Sequence, residues 1–88
     1  MADYHLTFAR SARQELEALD DVLINRIFPK VESLSQTPRP KGCHKIQGGK
    51  NLWRLRIGDY RVIYAIYDNE RVVDIIAVRH RSKAYERF

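Results

Sequence analysis

A glycine–aspartate pair between two β-prone runs is the feature of this 88-residue chain that most constrains its fold. Gly58-Asp59 stands between Leu52–Ile57 and Tyr60–Tyr67, which are rich in β-branched and aromatic residues. Glycine accepts the positive φ that the first position of a two-residue hairpin turn requires. The sequence therefore predicts an antiparallel hairpin in which Ile57 pairs with Tyr60.

This register sorts the side chains of the hairpin onto two faces, because cross-strand partners point the same way. One face receives the large apolar residues Trp53, Leu55, Ile57, Tyr60, Val62 and Tyr64. On the other face Arg56 lies opposite Arg61, with Arg54 beside them. If a third strand, Arg71–His80, continues the same alternation, His80 joins the arginine face. We expect these four residues to converge on the open face of a sheet.

The segments that precede the hairpin predict one strand and two helices. Tyr4–Phe8 alternates apolar and polar residues with period two. The stretches 9–19 and 23–34 carry apolar residues at helical spacing. Asp20 is expected to cap the second helix, and Pro29 to kink or break it.

These elements predict one domain over residues 1–88, since the chain is too short for a second core. Helices and strands are grouped separately along the chain, which is typical of α+β proteins. The predicted fold is a small antiparallel sheet of about four strands, with two N-terminal antiparallel helices packed on one face.

Positive charge is concentrated in the second part of the chain. Residues 1–37 carry four basic and six acidic side chains, whereas residues 38–88 carry twelve basic and five acidic ones. This distribution indicates a polyanion bound by one region, although a basic surface that serves only solubility is the alternative. Arg56 opposite Arg61 costs roughly 0.2–1 kcal/mol as a pair of like charges, which favours anion binding over a solvated face.

Several classes of protein are disfavoured. Cys43 is the single cysteine, which excludes an internal disulfide and a multi-cysteine zinc site. His5, His44 and His80 have no metal-binding spacing and no accompanying carboxylate cluster, so we expect neither a metal nor another cofactor. No secretion signal is visible, and no apolar run approaches the roughly 20 residues that span a bilayer. We expect a cytoplasmic protein without a membrane partner.

Two motifs resemble a known family. Trp53–Tyr64 reads WRLRIGDYRVIY and Val78–Tyr85 reads VRHRSKAY. Both resemble the RelE/ParE superfamily of toxins from type II toxin–antitoxin systems, and Phe8–Leu19 also fits, so the resemblance covers nearly the whole chain. The RelE-like branch implies an endoribonuclease that cleaves messenger RNA in the ribosomal A site by attack of a 2′-hydroxyl, without a metal.

The resemblance also implies roles for individual residues. The expected catalytic residues are Arg61, His80, Arg81 and Tyr85, and the expected substrate-binding residues are Lys45, Arg54 and Arg56. RelE itself has lysines at the positions of Arg54 and Arg56, and an arginine cannot replace a lysine as general base. His80 fits the histidine of YoeB-like relatives and is predicted to transfer the proton, with Tyr85 as the alternative.

The expected partners are a cognate RelB-like antitoxin, the ribosomal A site and messenger RNA. The toxin–antitoxin complex is expected to bind its own operator through the antitoxin. The main alternative function is a ParE-like poison that binds DNA gyrase and cuts nothing. A non-catalytic RNA-binding module is a third possibility, which is disfavoured because the register directs Trp53, Tyr60 and Tyr64 towards the core. The full set of arginines together with Tyr85 favours the ribonuclease.

Overall fold

The computed structural model of the protein describes residues 3–83. The elements in chain order are β1 (His5–Phe8), α1 (Arg10–Glu17), α2 (Asp21–Glu32), a 3₁₀ turn (Ser33–Ser35), β2 (Cys43–Lys45), β3 (Leu52–Ile57), β4 (Tyr60–Tyr67) and β5 (Val72–His80). The fold is α+β, and its five-stranded sheet has the order β1-β5-β4-β3-β2. In the part of the chain that is described, no helix is long and apolar enough to cross a membrane.

The central hairpin has the register that its sequence predicts. Ile57 pairs with Tyr60, and Arg56 lies opposite Arg61. Gly58 adopts a φ of +58°, a conformation that glycine enters without steric cost. The prediction of the hairpin is confirmed, with strands β3 and β4 beginning and ending at the expected residues.

The predicted sheet of about four antiparallel strands is wrong in two details. First, β1 pairs parallel to β5, from His5 with Val72 to Phe8 with Ile75, so the sheet is mixed. Second, the three-residue strand β2 adds a fifth strand, antiparallel to β3. The helices follow β1 and form part of the connection from one edge strand of the sheet to the other, rather than standing at the N-terminus.

The helices cover one face of the sheet, as predicted. Ala12 and Leu16 of α1, and Ile27 and Val31 of α2, are buried in one cluster with apolar residues of β3, β4 and β5. The Asp20 carboxylate caps α2, since its Oδ1 accepts a hydrogen bond from the Leu23 N–H at 2.9 Å. Each helix is therefore held by its apolar stripe and, for α2, by a capped first turn.

Of the kink or break expected at Pro29, the break is absent, because α2 continues through this residue to Glu32. Proline removes the hydrogen bond that its N–H would donate to the carbonyl of Asn25. Asn25 is exposed, so water can satisfy that carbonyl. The buried residues Ile27 and Val31, on either side of Pro29, keep the helix against the sheet.

A β-bulge divides strand β5. Ile75 pairs with Tyr64 and Ala77 pairs with Ile63, which leaves Ile76 without a partner in β4. The extra residue reverses the alternation, so that side chains after Ile76 point to the opposite face from the one expected. The Ile76 carbonyl accepts a hydrogen bond from Ser11 Oγ at 2.7 Å, which ties the bulge to α1.

The outer edge of β5 is closed by two different elements. Strand β1 covers the first half of this edge, up to Ile75. In the second half, Glu15 of α1 accepts a hydrogen bond from the Val78 N–H at 2.8 Å and forms an ion pair with Arg79 at 3.0 Å. A side chain of α1 thus takes the place that a neighbouring strand would occupy.

Candidate functional site

Three arginines meet in one cleft on the face of the sheet that the helices leave open. The cleft has a volume of about 280 Å³ and is lined by Gly42, His44, Arg54, Arg56 and Arg61. Strands β2, β3 and β4 each contribute to it, because the register places Arg54 opposite His44 and Arg56 opposite Arg61. The predicted convergence of the three arginines is what the geometry shows.

Arg61 lies deepest among the three arginines. Its side chain is 6% exposed, and Nη1 donates hydrogen bonds to the carbonyls of Gly58 at 3.1 Å and Tyr60 at 3.0 Å. These bonds fix the plane of the guanidinium against the hairpin turn. Nε and Nη2 make no hydrogen bond with the residues from 3 to 83 and remain as donors for a ligand. Arg61 is thus held in position before any ligand arrives.

The electrostatics of the cleft favour an anion. Within the described part of the chain, no carboxylate is among its lining residues. Across residues 3–83, the ion pairs are those of Arg39 with Asp68 and of Arg79 with Glu15, so neither Arg56 nor Arg61 is neutralised by an acid. Arginine presents a planar fork of N–H donors that matches phosphate oxygens. The arrangement can bind a phosphate and oppose the negative charge that builds on it during a displacement.

The loop before β2 is anchored by contacts at its start. The buried Tyr64 hydroxyl donates to the Pro38 carbonyl at 2.8 Å, and burial raises the pKa of this phenol. Arg39 lies 5.1 Å above the Trp53 ring and pairs with Asp68 at 2.8 Å. Hydrogen bonding to Arg39 lowers the pKa of the Asp68 carboxyl. These contacts hold the segment that leads into β2 and thus one wall of the cleft.

His80 does not lie on the arginine face, and this expectation was wrong. The bulge at Ile76 pairs His80 with Tyr60, whose ring meets it edge-on at a centroid distance of 5.5 Å. Tyr60 packs against the core beneath the helices. His80 therefore lines a separate concavity on that side, together with Glu15 and Ala18. The expectation assumed regular alternation through β5, whereas the bulge adds one residue to this strand.

The other expected site residues are distributed as follows. Lys45 is opposite Trp53 and lines a different concavity, because successive residues of β2 alternate between faces. Arg81 is exposed beyond β5, and its N–H bonds the carbonyl of Asp59 at 2.7 Å, which brings it to the hairpin end of the sheet. Tyr85 lies outside the described residues.

His44 also lines the cleft, although the sequence does not point to it. It lies in β2, a strand that the sequence does not predict, with its side chain on the arginine face. The available signal was the alternation of Cys43, His44 and Lys45, which is too short to identify a strand. The half-buried Cys43 packs against the core, so His44 points the other way.

Comparison with known proteins identifies the class to which this fold and cleft belong. Residues 6–85 match the family model for the ParE toxin of type II toxin-antitoxin systems, parDE. The chain therefore belongs to this toxin family. Its relatives place it in the RelE-like branch of the RelE/ParE superfamily, which confirms the resemblance read from the motifs.

Two curated relatives illustrate this placement. Toxin RelE of Mycobacterium tuberculosis is 31% identical over 83 residues, which cover 93% of this chain and 86% of that protein. The mRNA interferase toxin RelE of Escherichia coli K12 is 29% identical over 86 residues, which cover 93% of this chain and 90% of that protein.

Solved structures give the same result for the fold. RelE from the archaeal RelE–RelB complex of Pyrococcus horikoshii has a TM-score of 0.80 and 27% identity, covering 96% of this chain and 100% of that one. The intact RelBE toxin–antitoxin complex of Escherichia coli gives a TM-score of 0.75 and 26% identity, covering 88% of this chain and 95% of that one. The mixed sheet with helices on one face is thus the RelE fold.

Proposed function

We propose that this toxin is a ribosome-dependent endoribonuclease that cuts messenger RNA in the A site and so inhibits translation. The observation that carries the proposal is the arginine cleft, in which Arg61 is fixed by the hairpin turn and joined by Arg54 and Arg56. The name of the Escherichia coli relative, mRNA interferase toxin RelE, supports the same activity.

The proposed reaction is a transfer within the RNA chain. The 2′-oxygen of one nucleotide loses its proton and attacks the adjacent phosphorus, and the bond to the 5′-oxygen of the next nucleotide breaks. Arg61 stabilises the charge on the phosphate, with Arg81 as a second cation from the hairpin end of the sheet. Arg54 and Arg56 hold the RNA backbone, while Tyr85 stacks on or orients a base. We propose that the reaction proceeds without a metal.

The partners follow from the same proposal. We expect a cognate RelB-like antitoxin, since the Pyrococcus horikoshii and Escherichia coli relatives were solved in complexes with RelB. The toxin–antitoxin complex is expected to bind its operator through the antitoxin. Because the target is a translating ribosome, the toxin would act in the cytoplasm.

Primer extension on a message translated in a purified system tests the proposal. The protein should produce defined breaks inside codons when ribosomes are present, and none on the same RNA without ribosomes. Arg54→Ala should reduce the breaks, because it removes a cation from the cleft. Arg10→Ala is the matched control, since Arg10 is exposed at the start of α1. An intact message together with trapped gyrase–DNA complexes would contradict the proposal and favour a ParE-like gyrase poison.

A further inference from the structure

We infer that His44 is the group that transfers the proton in the arginine cleft. The inference rests on the proposed ribonuclease function and assigns one step of it to a residue. His44 is the central residue of the three-residue strand β2, and it lies opposite Arg54 in the antiparallel pair with β3. Its side chain lines the same cleft as the three arginines.

The backbone around His44 explains this placement. Gly42 precedes β2 with a φ of +96°, a conformation that residues with a side chain rarely adopt, and no atom lies within 4 Å of where its Cβ would stand. Gly42 therefore leaves the cleft unobstructed at the point where the chain enters β2. Cys43 pairs with Leu55 towards the core, which leaves His44 on the arginine side.

The chemistry of the cleft lining points to the imidazole. Cleavage by a 2′-hydroxyl needs one group that accepts a proton and one that returns a proton to the leaving oxygen. Arginine cannot do this, because it stays protonated in proteins. Among the lining residues within the described range 3–83, His44 alone carries a side chain of the type that exchanges protons near neutral pH. It is exposed and its side chain forms no hydrogen bond with residues 3–83, so its ring nitrogens are accessible to RNA.

His80, the residue that the sequence favoured, is in a different situation. The bulge at Ile76 places it opposite Tyr60, away from the cleft. Its Nδ1 accepts a hydrogen bond from the Ser82 N–H at 3.2 Å and contacts Ser82 Oγ at 3.1 Å. One ring nitrogen of His80 is thus already used within its own turn.

The proposed step balances without any further reactant. The His44 imidazole removes the proton of the 2′-hydroxyl as the 2′-oxygen bonds to phosphorus. The bond from phosphorus to the 5′-oxygen breaks, and the leaving oxygen receives a proton from the imidazolium or from water. The products are a 2′,3′-cyclic phosphate and a 5′-hydroxyl, and nothing is oxidised or reduced.

Single-turnover cleavage on programmed ribosomes tests the inference. His44→Gln should cut about 100-fold more slowly or worse, as expected for loss of a general base, while it still sediments with ribosomes. His5→Gln is the matched control, since His5 is exposed on β1 at the opposite edge of the sheet. His44→Ala should regain activity when imidazole is added, which a purely structural loss would not do.

The outcomes separate the inference from the proposed function. If the parent protein cuts no message, the proposed function fails. If the parent cuts and His44→Gln cuts at the parental rate, the inference is overturned and the ribonuclease stands. Normal cutting by His44→Gln with slow cutting by His80→Gln would return the role to His80. Loss of ribosome binding in His44→Gln, with full activity at saturating protein and no imidazole rescue of His44→Ala, would make His44 a binding residue and also overturn the inference.

Discussion

Replacing Arg61 with alanine should weaken the fold as well as the cleft. The side chain is 6% exposed and its Nη1 bonds the carbonyls of Gly58 and Tyr60 at 3.1 and 3.0 Å. A hydrogen bond that involves a charged group contributes roughly 1.5–3 kcal/mol. Both bonds share one nitrogen, and water can reach carbonyls freed at an exposed turn. We therefore count the two bonds as one, or about 2 kcal/mol of unfolding free energy.

This loss is large enough to measure by thermal unfolding. For a domain of this size, about 1 kcal/mol corresponds to a shift in Tm of roughly 4–8 °C. Arg61→Ala should therefore melt about 8–16 °C below the parent protein. Arg61→Lys keeps the positive charge but lacks the planar fork. Its Tm should lie between those of Arg61→Ala and the parent protein.

Arg56→Ala is the matched control, because Arg56 lies directly opposite Arg61 and is exposed. Its side chain forms no hydrogen bond or ion pair with the described residues, and its removal relieves a like-charge contact. Its stability should stay within about 0.5 kcal/mol of the parent. An Arg61→Ala protein that melts like Arg56→Ala would refute the role of Arg61 in the turn. Because Arg61→Ala is expected to melt at a lower temperature than the parent, its cleavage activity must be assayed below its own Tm.

Three further predictions concern stability. Asp20→Ala should lower the unfolding free energy in urea by about 1 kcal/mol through loss of the α2 cap; an unchanged midpoint would contradict the capping role. Ile27→Ala should cost roughly 2–5 kcal/mol, because Ile27 is fully buried and its removal leaves a cavity; a cost near that of a surface change would contradict its place in the core. Arg39 lowers the pKa of Asp68, so their pair stabilises the fold above the ordinary carboxyl value of 3.8 and loses this contribution as the pH falls below it. Asp68→Asn should thus be less stable than the parent at about pH 6 and equally stable at about pH 2. A stability difference that does not change with pH would contradict the pairing.

The part of the fold that the sequence predicts best is the hairpin from β3 to β4. Its register depends on one local feature, the turn at Gly58-Asp59, and every pairing in it follows from that turn. The convergence of Arg54, Arg56 and Arg61 was predictable for the same reason. The direction of β1 was not, because alternation shows that a strand is half buried but not which strand it joins.

The position of His80 could not be predicted from the alternation of apolar and polar residues. Residues 75–78 read Ile-Ile-Ala-Val, and an unbroken apolar run carries no alternation in which a slipped residue can be detected. The bulge is held instead by a contact from a distant segment, since Ser11 Oγ donates a hydrogen bond to the Ile76 carbonyl. His44 was missed for a related reason. A strand of three residues after Pro38 and Pro40 is defined by its partner β3 and not by its own sequence.

The closure of the β5 edge by α1 bears on how copies of this protein meet one another. A strand edge with unpaired N–H and C=O groups is a template for another chain, and it is a common route to edge-to-edge aggregation. Here an incoming strand would have to displace the Glu15 carboxylate from the Val78 N–H and break its pair with Arg79. The opposite edge, β2, is only three residues long and carries the exposed Lys45. The second half of β5 is covered, and the edge strands β1 and β2 are only four and three residues long, so none of these edges offers a long register along which sheets of separate molecules could grow together.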